Sequence, residues 1–88
     1  MECDYEIDGI KLVESCGACP EAYDAFHNDL YCGYFRLRHG RFTVYDTTLE
    51  EEIFSTTAVE GDGVFFDHER DKFLTKGVKE LKIYLGID

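Results

Sequence analysis

Apolar and polar side chains alternate most regularly between Tyr34 and Tyr45. Phe35 and Leu37 alternate with Tyr34, Arg36 and Arg38. After His39-Gly40, Phe42 and Val44 alternate with Thr43 and Tyr45. A period of two predicts strands, because successive side chains leave opposite faces of a sheet. Gly40 supplies the positive φ that a two-residue loop needs. With His39-Gly40 as the loop, Arg38 opposes Arg41, Leu37 opposes Phe42, Arg36 opposes Thr43, Phe35 opposes Val44 and Tyr34 opposes Tyr45. This register places Phe35, Leu37, Phe42 and Val44 on one face and Tyr34, Arg36, Thr43 and Tyr45 on the other. Only the like-charged Arg38/Arg41 pair works against it.

The same reading extends outward. Ile10–Glu14 alternates as a first strand, and residues 1–9 read as a weak start with a frayed tip. Residues 21–27 fit two patterns. Pro20 suits the first position of a short helix with Ala22 and Phe26 four apart; a strand over Ala22–His27 closed by Asn28-Asp29 fits the turn chemistry better. Glu52–Val59 is rich in β-branched and aromatic residues and predicts a further strand, followed by a turn at Gly61-Asp62-Gly63.

The last segment switches period. From Asp67, a potential cap, to Leu85, the residues Phe73, Leu74, Gly77, Val78, Leu81, Tyr84 and Leu85 fall within one arc of about 140° on a helix. Ile83 lies off that arc. Glu69 and Asp71 favour the positive end of the helix dipole, Lys76, Lys79 and Lys82 the negative end. Gly86 is a natural terminator. The expectation is a single α+β domain over residues 1–88: an antiparallel β-meander of four or five strands with one C-terminal α-helix packed on one face. Its core draws on Leu12, Phe35, Leu37, Phe42, Val44, Ile53 or Phe54, Phe73, Leu74, Val78, Leu81 and Leu85.

Charge changes the picture next. Nineteen acidic residues against nine basic ones give a formal charge of −10. That opposes direct nucleic-acid binding, which depends on neutralising phosphates. No Lys or Arg lies between Arg41 and Arg70, an interval that holds Asp46, Glu50, Glu51, Glu52, Glu60, Asp62, Asp67 and Glu69. Glu50, Glu51, Glu52, Glu60 and Asp62 are therefore candidates for engaging a protein partner with a basic surface; a solvated face is the plainer alternative. Against this acidity, Tyr34, Arg36, Arg38 and Tyr45 form a basic-aromatic patch of the residue types enriched at interface hot spots. The plainer alternative there is pairing with acids across the sheet.

Four cysteines remain. Cys16-x-x-Cys19 has zinc-ligand spacing, and Cys32 with Cys3, His27 or His39 would complete a tetrahedral set. A zinc-bound small domain is thus the second functional expectation. Thioredoxin-type chemistry at Cys16-Gly-Ala-Cys19-Pro20 lacks the preceding parallel strand it needs. Asp62–Glu69 lacks the alternating spacing of a calcium loop. No apolar run approaches the ~20 residues of a membrane span, and the acidic N-terminus lacks the regions of a signal peptide, so a cytoplasmic location is expected. No catalytic template appears, and the chain reads as a non-enzymatic interaction module with no cofactor.

The string Gly33-Tyr-Phe-Arg-Leu-Arg-His-Gly40, with Cys19-Pro-Glu before it and Gly61-Asp-Gly63 and Asp67-His-Glu-Arg-Asp71 after it, resembles a group of small uncharacterised bacterial and phage-type proteins. The resemblance covers most of residues 19–75. It implies a stand-alone small domain from a mobile element and brings no activity or catalytic residue.

Overall fold

The computed structural model describes residues 2–15 and 20–87. Six strands follow in order: β1 (Tyr5–Ile7), β2 (Ile10–Glu14), β3 (Glu21–His27), β4 (Leu30–Arg38), β5 (Arg41–Tyr45) and β6 (Glu52–Thr56), then helix α1 (Asp67–Leu85). They form one antiparallel sheet in the order β1-β2-β3-β4-β5-β6, a meander with no crossover. The fold is therefore the expected α+β meander with a C-terminal helix, but with six strands rather than four or five.

The added strand is β1. The described part of this start, residues 2–9, is not simply a frayed end: Asp8-Gly9 closes a hairpin that pairs Ile7 with Ile10 and Tyr5 with Leu12. Three two-residue turns share one geometry. Asp8-Gly9, Asn28-Asp29 and His39-Gly40 all have positive φ at both residues, the conformation whose twist matches that of the flanking strands. Residues 21–27 are a strand, not a helix, and the Arg38/Arg41 register of the central hairpin holds at every pair. The strand predicted over Glu52–Val59 is shorter and stops at Thr56.

The helix covers one face of the sheet. Ile10, Leu12, Tyr23, Ala25, Phe35, Leu37, Phe42 and Val44 meet Phe73, Leu74, Val78 and Leu81 there, and Phe65 closes one end. Phe42 is the hub, edge-on to Phe35, Phe54, Phe65 and Phe73 with centroids 5.3–6.4 Å away. The helix approaches closely at Gly77, where an added Cβ would lie 2.9 Å from Phe35 and 3.0 Å from Phe42. Ile53 and Phe54 both pack half-buried against this core.

Several expectations at the ends of α1 are corrected. Asp67 is its first residue rather than its cap. Phe66 stands at the N-cap and has no side-chain acceptor, so Glu69 supplies the reciprocal half of a capping box, its carboxylate accepting from the Phe66 N–H at 3.1 Å. Tyr84 and Leu85, placed on the apolar arc by periodicity, are 46% and 38% exposed and lie outside the core. Gly86 ends the helix in the left-handed region, with Gly86 N–H donating to Ile83 O and Ile87 N–H to Lys82 O.

Two buried carboxylates tie the segment between β6 and α1 to the rest. Glu21 accepts from Arg70 Nε (2.8 Å), the Phe65 N–H (2.9 Å) and the Tyr23 hydroxyl. Glu69 accepts from the N–H groups of Glu60 and Gly61 at 2.8 and 2.9 Å. Burial alone would raise both pKa values, but these donors outweigh it and hold both carboxyls below the ordinary glutamate range. Glu69 and Lys82 thus do more than complement the helix dipole: Lys82 is buried and pairs with Asp8 at 3.1 Å, fixing α1 to the β1–β2 turn. The pinned segment also backs the central hairpin, whose Gly40 N–H donates to Asp62 O at 2.6 Å.

Candidate functional site

No element of the described residues covers the second face of the sheet. Alternation from the buried Phe35, Leu37 and Val44 places Tyr34, Arg36, Arg38, Arg41, Thr43 and Tyr45 together on it. Asp24 lies opposite Tyr34 on the same face. Tyr34 and Tyr45 face each other with ring centroids 6.1 Å apart. Arg36 donates to the Tyr45 hydroxyl at 2.8 Å and carries its guanidinium 5.3 Å from the Tyr45 ring centroid. Arg36 therefore leans toward β5 and away from Asp24, whose carboxyl is pushed up by burial.

At the hairpin end Arg38 donates to His39 Nε2 at 3.2 Å. Arg41 donates to Ser55 Oγ at 2.6 Å and pairs with Glu52 at 3.1 Å. Arg36, Arg38, His39, Arg41, Thr43, Tyr45 and Glu52 line one shallow hollow of about 420 Å³. Three of the chain's four arginines meet there. The alternative expected for Arg36 and Arg38, pairing with acids across the sheet, is not seen: among the described residues neither has a carboxylate partner, while the neighbouring Arg41 pairs with Glu52. Arg41 was not singled out from the sequence as a site residue, although the hairpin register itself puts it opposite Arg38, and His39, read from the sequence as a possible metal ligand, lines the hollow instead.

The acidic candidates do not come together. Glu50 and Glu51 sit in the β5–β6 loop, where Asp46 accepts from Thr48 and from the Glu51 N–H, and Tyr84 donates to Glu51 at 3.0 Å. Glu52 opens β6 and is taken up by Arg41. Glu60 and Asp62 lie past the other end of β6; Glu60 pairs with His68 at 2.8 Å. A five-residue strand separates the two groups by roughly 17 Å.

The cysteine set is only partly within view. Cys16 and Cys19 lie outside the described residues. Cys3 and Cys32 are free, half-buried thiols. Cys3 precedes β1 while Cys32 is in β4, three strand spacings or about 14 Å across the sheet, too far for both to bind one ion. Burial pushes the Cys32 thiol up to about 11. Among the described residues no three His, Cys, Asp or Glu side chains gather as a metal-holding group, and no helix is long and apolar enough to cross a membrane.

Comparison of the chain with protein-family models, with curated proteins and with solved structures found no match in any of the three.

Proposed function

We propose that this chain is a non-enzymatic interaction module that captures a protein partner on the uncovered face of its sheet. The observation that carries the reading is the gathering of Tyr34, Tyr45, Arg36 and Arg38 on that face, with Arg36 and Arg38 unpaired by carboxylates among the described residues. Tyrosine rings give large contact area for little conformational cost, arginine forks give directed hydrogen bonds, and both residue types are enriched at interface hot spots. Around this anchor the acidic loops act at longer range. Glu50 and Glu51 at one end and Glu60 and Asp62 at the other attract the basic surface of an approaching partner and orient it. The setting is cytoplasmic, and the resemblance of the Gly33–Gly40 string suits a phage-type or mobile-element protein acting on a host component.

A photo-crosslinking phenylalanine analogue tests this in the source cell. Installed at Tyr34, it is expected to capture one partner protein. Installed at Lys79, on the exposed side of α1, it captures none. Capture from Lys79 with silence at Tyr34 would move the contact to the helix and end this reading.

A further inference from the structure

The arginine hollow has a property that partner docking does not require. Arg38 and Arg41 oppose each other across the hairpin, and like charges in that relation destabilise a strand pair. Arg36 joins them on the same face. Among the described residues four side-chain hydrogen bonds leave the three guanidinium groups: Arg36 to Tyr45, Arg38 to His39, and Arg41 to Ser55 and Glu52. Each guanidinium carries five N–H donors, so most of the donors have no side-chain acceptor among the described residues. Among the described residues Glu52 supplies the one carboxylate in the lining. This is a concentration of positive charge in a chain of formal charge −10.

We propose that this hollow is a binding site for a small diphosphate-bearing ligand, held by Arg36, Arg38 and Arg41. Three guanidinium groups with one carboxylate match an anion of two or more charges, and the planar fork of arginine fits phosphoryl oxygens through paired hydrogen bonds. A volume of about 420 Å³ lies within the range of small-molecule sites. Thr43 and the Tyr45 ring form part of the lining, and the hairpin tip is held from behind by the Gly40 N–H to Asp62 O bond. The hairpin backbone that carries the arginines is thereby fixed before a ligand arrives. The acidic body opposes an approaching anion, but at physiological ionic strength that repulsion is screened beyond about 8 Å. The hollow is open, so the affinity is modest. This goes beyond the partner reading: it concerns a small ligand, and it fails separately, since crosslinking from Tyr34 does not depend on it.

The test is titration of the 88-residue chain at 0.15 M salt, followed by backbone amide NMR, with sodium pyrophosphate and a nucleoside diphosphate in separate arms and succinate as a carboxylate control. Pyrophosphate is expected to shift the amides of residues 36–45 saturably, with Kd below about 1 mM. Tighter binding of the nucleoside diphosphate would assign a nucleotide; equal binding would assign the diphosphate group alone. Arg38→Ala, whose side chain among the described residues hydrogen-bonds His39 alone, should weaken binding about tenfold with a melting temperature unchanged or slightly raised, since it also relieves the Arg38/Arg41 repulsion. Glu52→Gln should act in the opposite direction and tighten it several-fold, by releasing Arg41. Absence of a saturable shift at about 10 mM pyrophosphate, equal binding of succinate, or indifference to both substitutions would overturn the proposal.

Discussion

The Glu21 carboxylate in β3 is gripped by the Arg70 guanidinium in the first turn of α1, Nε to Oε2 at 2.8 Å, across 49 residues of chain. Both partners are largely withdrawn from water, with side chains 5% and 18% exposed. Arg70 also donates to Asp67 and to the Phe65 carbonyl, so one side chain joins the sheet, the connecting segment and the helix. Removing it leaves a buried carboxylate without its counter-charge. Arg70→Ala should cost about 3 kcal/mol in urea unfolding, whereas Glu21→Gln with Arg70→Met together should cost clearly less than the two single changes combined. Strict additivity would show that the pair does not act as a unit.

The same carboxylates predict an acid limb. Glu21 and Glu69 have folded pKa values depressed below the ordinary one, so the unfolded chain binds their protons more tightly. Their contribution is fully present above the unfolded glutamate value of about 4.3 and disappears as pH falls through the folded values. Stability measured by urea unfolding should fall steadily below that point. A chain carrying Glu21→Gln and Glu69→Gln should be weaker at neutral pH and show a flatter acid limb; an acid limb as steep as that of the unchanged chain would place the pH dependence elsewhere.

Two glycines separate backbone from side-chain crowding. At Gly61 an added Cβ would overlap the Val64 carbonyl oxygen, and a fixed backbone cannot move aside. At Gly77 the nearest atoms belong to the rings of Phe35 and Phe42 and to Val44, and a gain of about 1 kcal/mol in helix propensity offsets part of the crowding. Gly61→Ala should therefore destabilise by about 3 kcal/mol and Gly77→Ala by about 1 kcal/mol. The reverse order in thermal or urea unfolding would contradict the close approaches.

The sequence was most legible where local signals agreed. Around His39-Gly40 the period-two pattern on both sides and a glycine at the turn specified every pair of the β4–β5 register. The same chemistry at Asp8-Gly9 also carried the hairpin signal, but the acidic residues around it masked a strand only three residues long. Glu21 could not be read as buried, because its main partner is 49 positions away and nothing local marks it. The acidic interval looks continuous along the chain, yet β6 runs through it and sends Glu50 and Glu51 to one end of the sheet and Glu60 and Asp62 to the other. Alternation alone gathered Tyr34, Arg36 and Tyr45 on one face. That Arg36 would turn to Tyr45 rather than Asp24 depends on side-chain geometry that no periodicity encodes.

That division makes the acidic groups separable in partner binding. Glu50→Gln with Glu51→Gln, and Glu60→Gln with Asp62→Asn, should each slow association by several-fold at low salt, and together by about tenfold or more. The two effects should multiply, since about 17 Å of strand lies between the groups, and both should fade as salt rises. Tyr34→Ala should instead raise the dissociation rate with little salt dependence. Stopped-flow measurements across salt concentrations distinguish them. Unchanged association in the combined variant would leave the acids as a solvated surface only.

Leu49 is the most strained exposed side chain of the β5–β6 loop. Its φ is +63, in a region that costs a bulky residue about 1 kcal/mol or more, and its side chain is half-exposed, so little burial compensates. The loop imposes the conformation: the Leu49 N–H donates to Asp46 O, the Asp46 N–H donates to Glu51 O at 3.1 Å, and the Asp46 carboxylate accepts from Thr48 and the Glu51 N–H. Glycine adopts the same φ without the Cβ clash. Leu49→Gly should therefore stabilise the fold by up to about 1 kcal/mol, raising the melting temperature by about 4–8 °C for a domain of this size. A lower melting temperature in Leu49→Gly would mean that the side chain, and not the backbone strain, dominates at this position.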